Sequence, residues 1–207
     1  MDCVYLFALH IKILCYNRIN LSKFGYLKES VMKILIVIDM QNDFLHGALK
    51  NDDGIKIIPS LAKKIEECKA QGYQIIATRD THYSDYLSTQ EGKKLPVTHC
   101  VKGTYGWQIN DQIKTALGDC LIFDKPTFGS TTLADYLRET YLRDGDAQIE
   151  LVGVCTDICV ISNAMLIKAA LPEARISVIS SLCAGVTPTS HQTALDAMRA
   201  CQIEIKD

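Results

Sequence analysis

Residues 150–163 read ELVGVCTDICVISN and change character half-way along. Residues 149–152 predict a buried strand, and Gly153 predicts its end. The polar pair at 156–157, Thr and Asp, has the residue types that cap helices, so the apolar run after it predicts a helix with Cys159 in its first turn. Because a helix N-terminus favours an anion, we expect a lowered pKa for the Cys159 thiol. A buried, unreactive cysteine is the alternative that this stretch leaves open.

Composition limits the class of protein. The chain has 207 residues, of which 48% are hydrophobic, so it can bury one good core. The formal net charge is −2, and no basic run indicates binding to nucleic acid or to a membrane. Nine cysteines without CxxC pairs favour reduced thiols and a cytoplasmic protein. Residues 1–31 show no clear hydrophobic period, and we expect an extension there that is poorly ordered or not native, followed by one domain at 32–207.

Strands and helices alternate along that domain. A continuous apolar run, typical of a strand buried on both faces, occurs at residues 34–38, and residues 74–78 predict a second buried strand. Further strands are predicted at residues 120–124, 149–152, 175–180 and 203–205. Helical spacing predicts helices at 57–71, 130–142 and 190–201, besides the one that carries Cys159, and a long polar loop covers 79–107. The alternation predicts an α/β fold, a three-layer α/β/α sandwich with a parallel sheet of about six strands.

Residues with reactive side chains follow four of the predicted strands. Asp39 follows the first, Asp80 and His82 the second, Lys125 the third and Cys159 the fourth. Ligands of open α/β sheets bind outside the carboxyl ends of the strands, so we expect these side chains to share one site. Their coincidence favours Cys159 as a nucleophile, with Asp39 as its base and Lys125 as the cation that stabilises the thiolate. A loop-bonding Asp and a solvated Lys are the alternatives for each residue taken alone.

The polar loop contains a possible metal site. Asp80 and His82 are two positions apart, so in an extended segment their side chains point the same way, and Glu91 and His99 follow. Two histidines with one or two carboxylates suit zinc, iron or manganese and leave room for water or substrate. Solvated loop side chains are the commoner alternative, and spacing alone leaves the choice open.

Several of these residues form an ordered set of motifs. Residues 39–44 (DMQNDF), Lys125 and residues 153–159 (GVCTDIC) together resemble the isochorismatase-like cysteine hydrolase superfamily. Residues 79–82 (RDTH) and 96–104 (PVTHCVKGT) are most similar to its nicotinamidase/pyrazinamidase branch. The resemblance extends over about residues 33–205 and implies the Rossmann-like fold of that superfamily.

The resemblance also implies catalytic roles. Cys159 would be the nucleophile, Asp39 the base and Lys125 the third catalytic residue. The backbone N–H groups of Cys155 and Cys159 would form an oxyanion hole, beside a non-proline cis peptide bond at 154–155. The reaction implied is hydrolysis of nicotinamide to nicotinate and ammonia, as in NAD salvage.

The same resemblance implies a metal site with the ligands Asp80, His82, Glu91 and His99. The ion would be one divalent transition metal, zinc first and iron or manganese as alternatives, and it would hold the pyridine nitrogen of nicotinamide.

Phe44, Leu95 and Phe128 would bind the substrate ring. Leu95 stands where nicotinamidases usually have an aromatic residue, and Phe128 where they often have Tyr, so the substrate is less firmly implied than the reaction. A related cysteine hydrolase of another small amide, carbamate or ureide is one alternative, and a catalytically silent binding domain is another. A dinucleotide-dependent dehydrogenase is excluded because no GxGxxG follows the first strand. By analogy with the family, we expect a homo-oligomer.

Overall fold

The computed structural model describes residues 31–144 and 146–207, which form one unit. The extension expected at residues 1–31 therefore lies outside the described residues except for Val31. The first described strand begins at Met32. None of the helices in the described part of the chain is both long enough and apolar enough to cross a membrane.

Within these residues, six strands alternate with helices. The strands are β1 (Met32–Ile38), β2 (Gln74–Asp80), β3 (Leu121–Lys125), β4 (Ala147–Val154), β5 (Arg175–Ala184) and β6 (Glu204–Lys206). The α-helices are α1 (Asn42–Leu45), α2 (Asp52–Ala70), α3 (Gln90–Lys94), α4 (Asp111–Leu117), α5 (Thr131–Asp144), α6 (Ile161–Ala170) and α7 (Pro188–Ala200). A 3₁₀ turn covers Tyr86–Ser88, and a π-helical turn at Thr156–Val160 leads into α6.

All six strands are parallel and lie in the order β3-β2-β1-β4-β5-β6. The chain thus adds strands on one side of β1 first and then, from β4 onward, on the other side. The crevice between β1 and β4 is the switch point at which open α/β sheets bind their ligands. The predicted α/β fold with a parallel sheet of about six strands is confirmed.

Two apolar clusters fill the space on either side of the sheet. Alternate residues of β1 point to opposite faces, as the period of a strand requires. Leu35 and Val37 pack under α2 and α4, whereas Ile34, Ile36 and Ile38 pack under α5, α6 and α7. Each fully buried aliphatic side chain of this kind contributes about 1.5–3 kcal/mol. The helices on both faces complete the predicted three-layer sandwich.

The expected end of the fourth strand at Gly153 is wrong, because β4 continues to Val154. Gly153 pairs with Ile38 of β1 and adopts φ +116, and a Cβ atom there would overlap the Ile38 carbonyl oxygen. Only glycine permits this approach of β4 to β1. The approach lies directly below the residues that follow the two strands.

Other differences concern the ends of helices. Helix α2 begins at Asp52 rather than at residue 57, because Asn51 caps it by accepting the Gly54 N–H at 2.8 Å. Pro59 lies inside this helix. The loop expected at 79–107 also contains the 3₁₀ turn and α3, whose cap is Thr89. These elements are too short for hydrophobic periodicity to reveal them.

Candidate active site

The structure brings Asp39, Lys125 and Cys159 together at the carboxyl edge of the sheet. Lys125 is the last residue of β3, and its side chain is fully buried. Its Nζ lies 2.6 Å from Asp39 Oδ2 and 3.5 Å from Cys159 Sγ. It also lies 3.3 Å from Asp80 Oδ1 and 3.1 Å from the Thr127 carbonyl oxygen. One ammonium group therefore joins three strand ends.

Asp39 is held by β2 as well as by Lys125. Its backbone adopts the left-handed region at φ +48, which turns the chain sharply after β1. The Thr78 hydroxyl donates to Asp39 Oδ1 at 2.7 Å and accepts the Asp39 N–H at 3.3 Å. The second oxygen, Oδ2, is left to face Lys125. The Asp39 carboxylate is thereby held in one orientation, with Oδ2 as the oxygen that can take part in proton transfer.

Burial controls the protonation states of this trio. It raises the pKa of Asp39 above the ordinary range, although Lys125 opposes the shift. It also raises the pKa of Cys159 well above the usual value, and the Asp39 charge adds to that effect while Lys125 opposes it. For Lys125 burial acts in the opposite sense, but the charges of Asp39 and Cys159 prevail and its pKa is raised. Burial and the neighbouring carboxylate thus favour the neutral form of the Cys159 thiol, whereas the negative charges around Lys125 favour its ammonium form.

The expected lowered pKa of Cys159 is thus wrong. Cys159 lies near the start of the helix as predicted, but its side chain is buried and the charge of Asp39 is close to it, and both effects raise the pKa of its thiol. If Cys159 is to react as a thiolate, the thiol proton must move to a neighbouring group. Asp39, with its raised pKa, is suited to accept it.

The predicted cap at Thr156 and Asp157 is also wrong. The N-cap position is Cys155, and no side chain caps the turn. Instead, the Thr156 hydroxyl lies 2.8 Å from His191 Nδ1, and Asp157 Oδ1 accepts the Val186 N–H at 3.0 Å. Both residues therefore fasten the π-helical turn to the start of α7 and the segment before it.

The peptide bond at Val154–Cys155 is cis, as the resemblance implied. Cys155 O accepts the N–H groups of Ile158 and Val160, which flank Cys159 on either side. One turn further on, Asn163 donates to Cys159 O at 2.8 Å and to Phe128 O at 3.1 Å. Asn163 thereby connects the turn of Cys159 to the segment that follows β3.

The four expected metal ligands also converge. Asp80 Oδ2 lies 2.9 Å from His82 Nε2 and 3.4 Å from His99 Nε2. Glu91 Oε1 lies 3.5 Å from His82 Nε2 and 4.0 Å from His99 Nε2. One ligand atom from each residue lies within 4.8 Å of every other. The set adjoins the trio through Asp80, whose other oxygen faces Lys125.

These residues fit a divalent transition metal. Within the described residues, the buried His82 Nε2 has no hydrogen-bond partner, even though Asp80 Oδ2 is only 2.9 Å away. His99 Nδ1 lies 2.8 Å from the Val97 carbonyl oxygen, which orients the ring and directs Nε2 to the cluster. Burial would raise the pKa of Asp80, but His82, His99 and Lys125 hold it well below its usual range. Asp80 is thus an anionic oxygen beside two ring nitrogens, a donor set that suits zinc or iron.

The family model described as the isochorismatase domain matches residues 33–207. The chain belongs to the isochorismatase domain family. A nicotinamidase/pyrazinamidase of Mycobacterium tuberculosis is 27% identical over 189 residues, which cover 84% of this chain and 98% of that protein.

Two solved structures resemble this isochorismatase domain in fold and in sequence. The pyrazinamidase of Pyrococcus horikoshii in complex with zinc is 28% identical, has a TM-score of 0.66 and covers 84% of this chain and 97% of its own. The N-carbamoylsarcosine amidase of Thermoplasma acidophilum is 27% identical, has a TM-score of 0.68 and covers 85% of this chain and 96% of its own. The predicted superfamily, its nicotinamidase branch and the class of enzyme, an amide hydrolase, are confirmed.

The three residues expected to bind the ring of the substrate differ in how deeply they are buried. Phe44 is buried, and its ring centroid is 5.7 Å from that of His99. Leu95 and Phe128 are 38% and 43% exposed. Their backbone oxygens contact the residues around the site, since Leu95 O accepts the Tyr86 hydroxyl at 3.0 Å and Phe128 O accepts Asn163.

Sequence reasoning gave no role to several residues that hold the site. Gln41 accepts the Asp80 N–H at 2.7 Å and donates to Asp80 O at 2.9 Å. The centroid of the Tyr86 ring lies 4.5 Å from that of the His82 ring and 5.0 Å from that of the His99 ring. Gln41 could have been found, because it lies in the DMQNDF stretch after the first predicted strand, at the edge of the sheet where ligands bind. Tyr86 left no comparable signal in the polar loop.

Proposed function

We propose that the protein is a metal-dependent cysteine amidohydrolase that converts nicotinamide and water to nicotinate and ammonia through a thioester on Cys159. The observation that carries the proposal is the position of Lys125 Nζ, 2.6 Å from a buried carboxylate and 3.5 Å from a buried thiol. A nucleophile, a proton acceptor and a fixed cation are the groups that covalent amide hydrolysis requires. The relative named as a nicotinamidase supports the choice of substrate.

The first half of the reaction begins with proton transfer. The Cys159 thiol gives its proton to Asp39, whose raised pKa suits it to hold that proton, and Lys125 stabilises the thiolate. The thiolate attacks the amide carbon. The amide oxygen of the substrate becomes negative in the tetrahedral intermediate and accepts hydrogen bonds from the backbone N–H groups of Cys155 and Cys159. Such stabilisation is worth about 3–4 kcal/mol per donor. The C–N bond then breaks, and ammonia leaves with the proton from Asp39.

The second half releases the acid. Asp39, again a carboxylate, takes a proton from a water molecule as its oxygen attacks the thioester carbon. The C–S bond breaks, and the Cys159 thiolate regains its proton from Asp39. Nicotinic acid leaves and releases its remaining proton to the solvent as nicotinate. Lys125 stays charged throughout, because its pKa is raised by the two groups that it faces.

The metal ligands that we propose are Asp80, His82, Glu91 and His99. Zinc is the first choice, since two ring nitrogens and carboxylate oxygens suit it and the Pyrococcus relative is described in complex with zinc. When bound, the ion would supply a Lewis-acidic contact for a ring nitrogen of the substrate. Phe44 would form the buried side of the ring pocket and Leu95 and Phe128 its outer side.

The proposal extends to the setting of the enzyme. We place it in the cytoplasm, in NAD salvage, as a homo-oligomer that acts on a small molecule without nucleic acid or a membrane. Seven cysteines in the described part of the chain are free thiols, which is consistent with a reducing compartment.

The decisive experiment is ammonia release from nicotinamide by purified full-length protein, as isolated and after treatment with a chelator. We expect turnover that the chelator removes and that added zinc restores. Turnover that survives complete chelation would refute the metal requirement but keep the amidase. Absence of turnover with a Cys159 that still reacts with thiol reagents would refute nicotinamide as the substrate.

A second substrate class, the small carbamoyl amides or ureides, has one observation in its favour. The Thermoplasma N-carbamoylsarcosine amidase resembles this chain about as closely as the Pyrococcus enzyme does. In addition, Leu95 offers no aromatic ring for stacking, an interaction worth about 0.5–1.5 kcal/mol. Parallel assays with N-carbamoylsarcosine and nicotinamide distinguish the two classes by their kcat/KM values.

A further inference from the structure

The peptide unit of Cys100 connects two of the proposed metal ligands. Cys100 directly follows His99, and its carbonyl oxygen accepts the His82 N–H at 2.9 Å. The His82 carbonyl oxygen accepts the Lys102 N–H, also at 2.9 Å. The backbone positions of both histidines are thus linked by one short parallel bridge between His82 and Val101. Cys100 itself adopts φ +48, a conformation that side-chain-bearing residues rarely hold without support.

That support comes from Asp43 in the segment after β1. Its Oδ2 accepts the Cys100 N–H at 2.7 Å, a short bond to a charged acceptor. The Asp43 N–H donates to the Gly106 carbonyl oxygen at 2.9 Å. Gly106 also packs flat against the carboxylate, and a Cβ atom there would overlap it. Asp43 therefore binds the polar loop at two points.

We infer that Asp43 is the positioning residue that sets His99 and His82 for metal binding. The inference rests on the proposed function in so far as these histidines are metal ligands. Asp43 touches neither ring; it acts through the Cys100 peptide, which it fixes in the left-handed conformation. Because Asp43 follows Asp39 in the same segment, the metal ligands and the proposed base are placed by one piece of chain.

Glu91 provides a contrast within the same set of ligands. It lies in α3, which is capped by Thr89, and its Oε1 is farther from both histidine nitrogens than Asp80 Oδ2 is. Among the described residues, the hydrogen bonds of Asp43 do not involve this helix. Loss of the Asp43 carboxylate should therefore disturb residues 97–101 and leave residues 89–94 in place.

The test compares four variants of the full chain. Asp43→Ala removes the acceptor, whereas Asp43→Asn keeps an oxygen that can accept the Cys100 N–H. Gly106→Ala displaces the carboxylate without removing it. Asp85→Ala is the matched control, since Asp85 is an exposed acid of the same loop.

Two measurements are made on each variant: zinc affinity, by competition with a chromogenic chelator, and amide hydrogen exchange at residues 97–101 and 89–94. We expect Asp43→Ala and Gly106→Ala to weaken zinc binding about 10–100-fold, the usual effect of losing a residue that orients a ligand. Exchange should accelerate at 97–101 alone. Asp43→Asn and Asp85→Ala should stay close to the wild type.

Wild-type zinc affinity and unchanged exchange in Asp43→Ala would overturn the inference while leaving the proposed function intact. If the wild-type protein binds no zinc, the proposed metal site fails, and the exchange data alone decide whether Asp43 fixes the loop. Faster exchange over the whole protein would mean general destabilisation, and the inference would then fail unless Gly106→Ala gave the local pattern.

Discussion

Two groups of charged residues, each with a buried carboxylate, lie along the strand β4, and they differ in how their charges are balanced. Past its carboxyl end, one ammonium, that of Lys125, faces Asp39, Asp80 and the thiol of Cys159. In its first half, a single carboxylate faces two ammonium groups. Glu150 Oε1 accepts Lys206 Nζ at 3.0 Å, and Oε2 lies 3.4 Å from Lys64 Nζ.

The balance sets the direction of each pKa shift. Burial alone would raise the pKa of both Asp39 and Glu150. For Glu150 the hydrogen bond from Lys206 and the charge of Lys64 outweigh burial, so its pKa is lowered. For Asp39 the single Lys125 does not outweigh burial, and its pKa stays raised. An acid with an excess of cations stabilises the fold, whereas an acid with too few is ready to carry a proton.

Cys159→Ala should give the largest effect and should affect activity alone. Loss of the nucleophile is expected to reduce amide hydrolysis by about 10⁴-fold or more, because no thioester can form. The free energy of unfolding should change by no more than about 1 kcal/mol, since only one sulfur atom is removed. Ammonia release and thermal unfolding measure the two quantities. The control is Cys201→Ala at an exposed thiol, and equal activity in the two variants would show that Cys159 is not the nucleophile.

Asp39→Asn should reduce turnover by about 10²–10⁴-fold, the usual contribution of a general base. The amide keeps the shape of the carboxylate and can still accept the Thr78 hydroxyl, so the variant should fold. The measurement is kcat, with the rate of Cys159 alkylation as a second readout. A kcat equal to that of the wild type would contradict the role of Asp39 as acceptor of the thiol proton, whereas alkylation should be no slower than in the wild type, because the Asp39 charge that raises the pKa of Cys159 is gone.

Part of the fold and of the candidate site can be predicted from the sequence, and part cannot. Apolar runs and the alternation of elements predict the sheet, reactive residues at strand ends predict the trio, and the family resemblance supplies the full set of metal ligands. The hydrogen bonds of Thr78 and Gln41 span 39 positions along the chain and leave no local pattern. The predicted lowering of the Cys159 pKa was wrong for the same reason, since that pKa depends on burial and on Asp39, which follows a different strand. Local sequence patterns identify the reactive groups, but they do not give the burial and the neighbouring charges that set the pKa values of these groups.

Glu150→Gln should give a smaller effect, on stability alone. It removes the charge that joins α2, β4 and β6, and we expect unfolding to become easier by about 1–3 kcal/mol. Both lysines are partly exposed and can turn to water, which limits the loss. Urea unfolding gives the free energy, with Glu204→Gln at an exposed position of β6 as control. A drop in kcat without loss of stability would break the division between the two groups of charges.

The smallest expected effect is the pH dependence of that difference. Because the pKa of Glu150 is lowered in the fold, its charge stabilises the protein above the ordinary value of 4.5. The contribution is lost as pH falls through the folded pKa. The gap in unfolding free energy between the wild type and Glu150→Gln should therefore be full at neutral pH and shrink below pH 4.5. A gap that grows in acid would mean that the fold binds the protonated form better.

The pairing of β1 with β4 has a consequence for how activity is acquired. Asp39 and Lys125 come from the first part of the chain and Cys159 from the last third, so the trio is complete only when this non-local pairing has formed. Pairings between distant segments close late, because the intervening chain must lose its conformational freedom first. A molecule that has assembled β1, β2 and β3 alone would already hold the ammonium and its carboxylates, yet it would be chemically silent. During refolding, the return of turnover should therefore report the closing of the sheet at its centre.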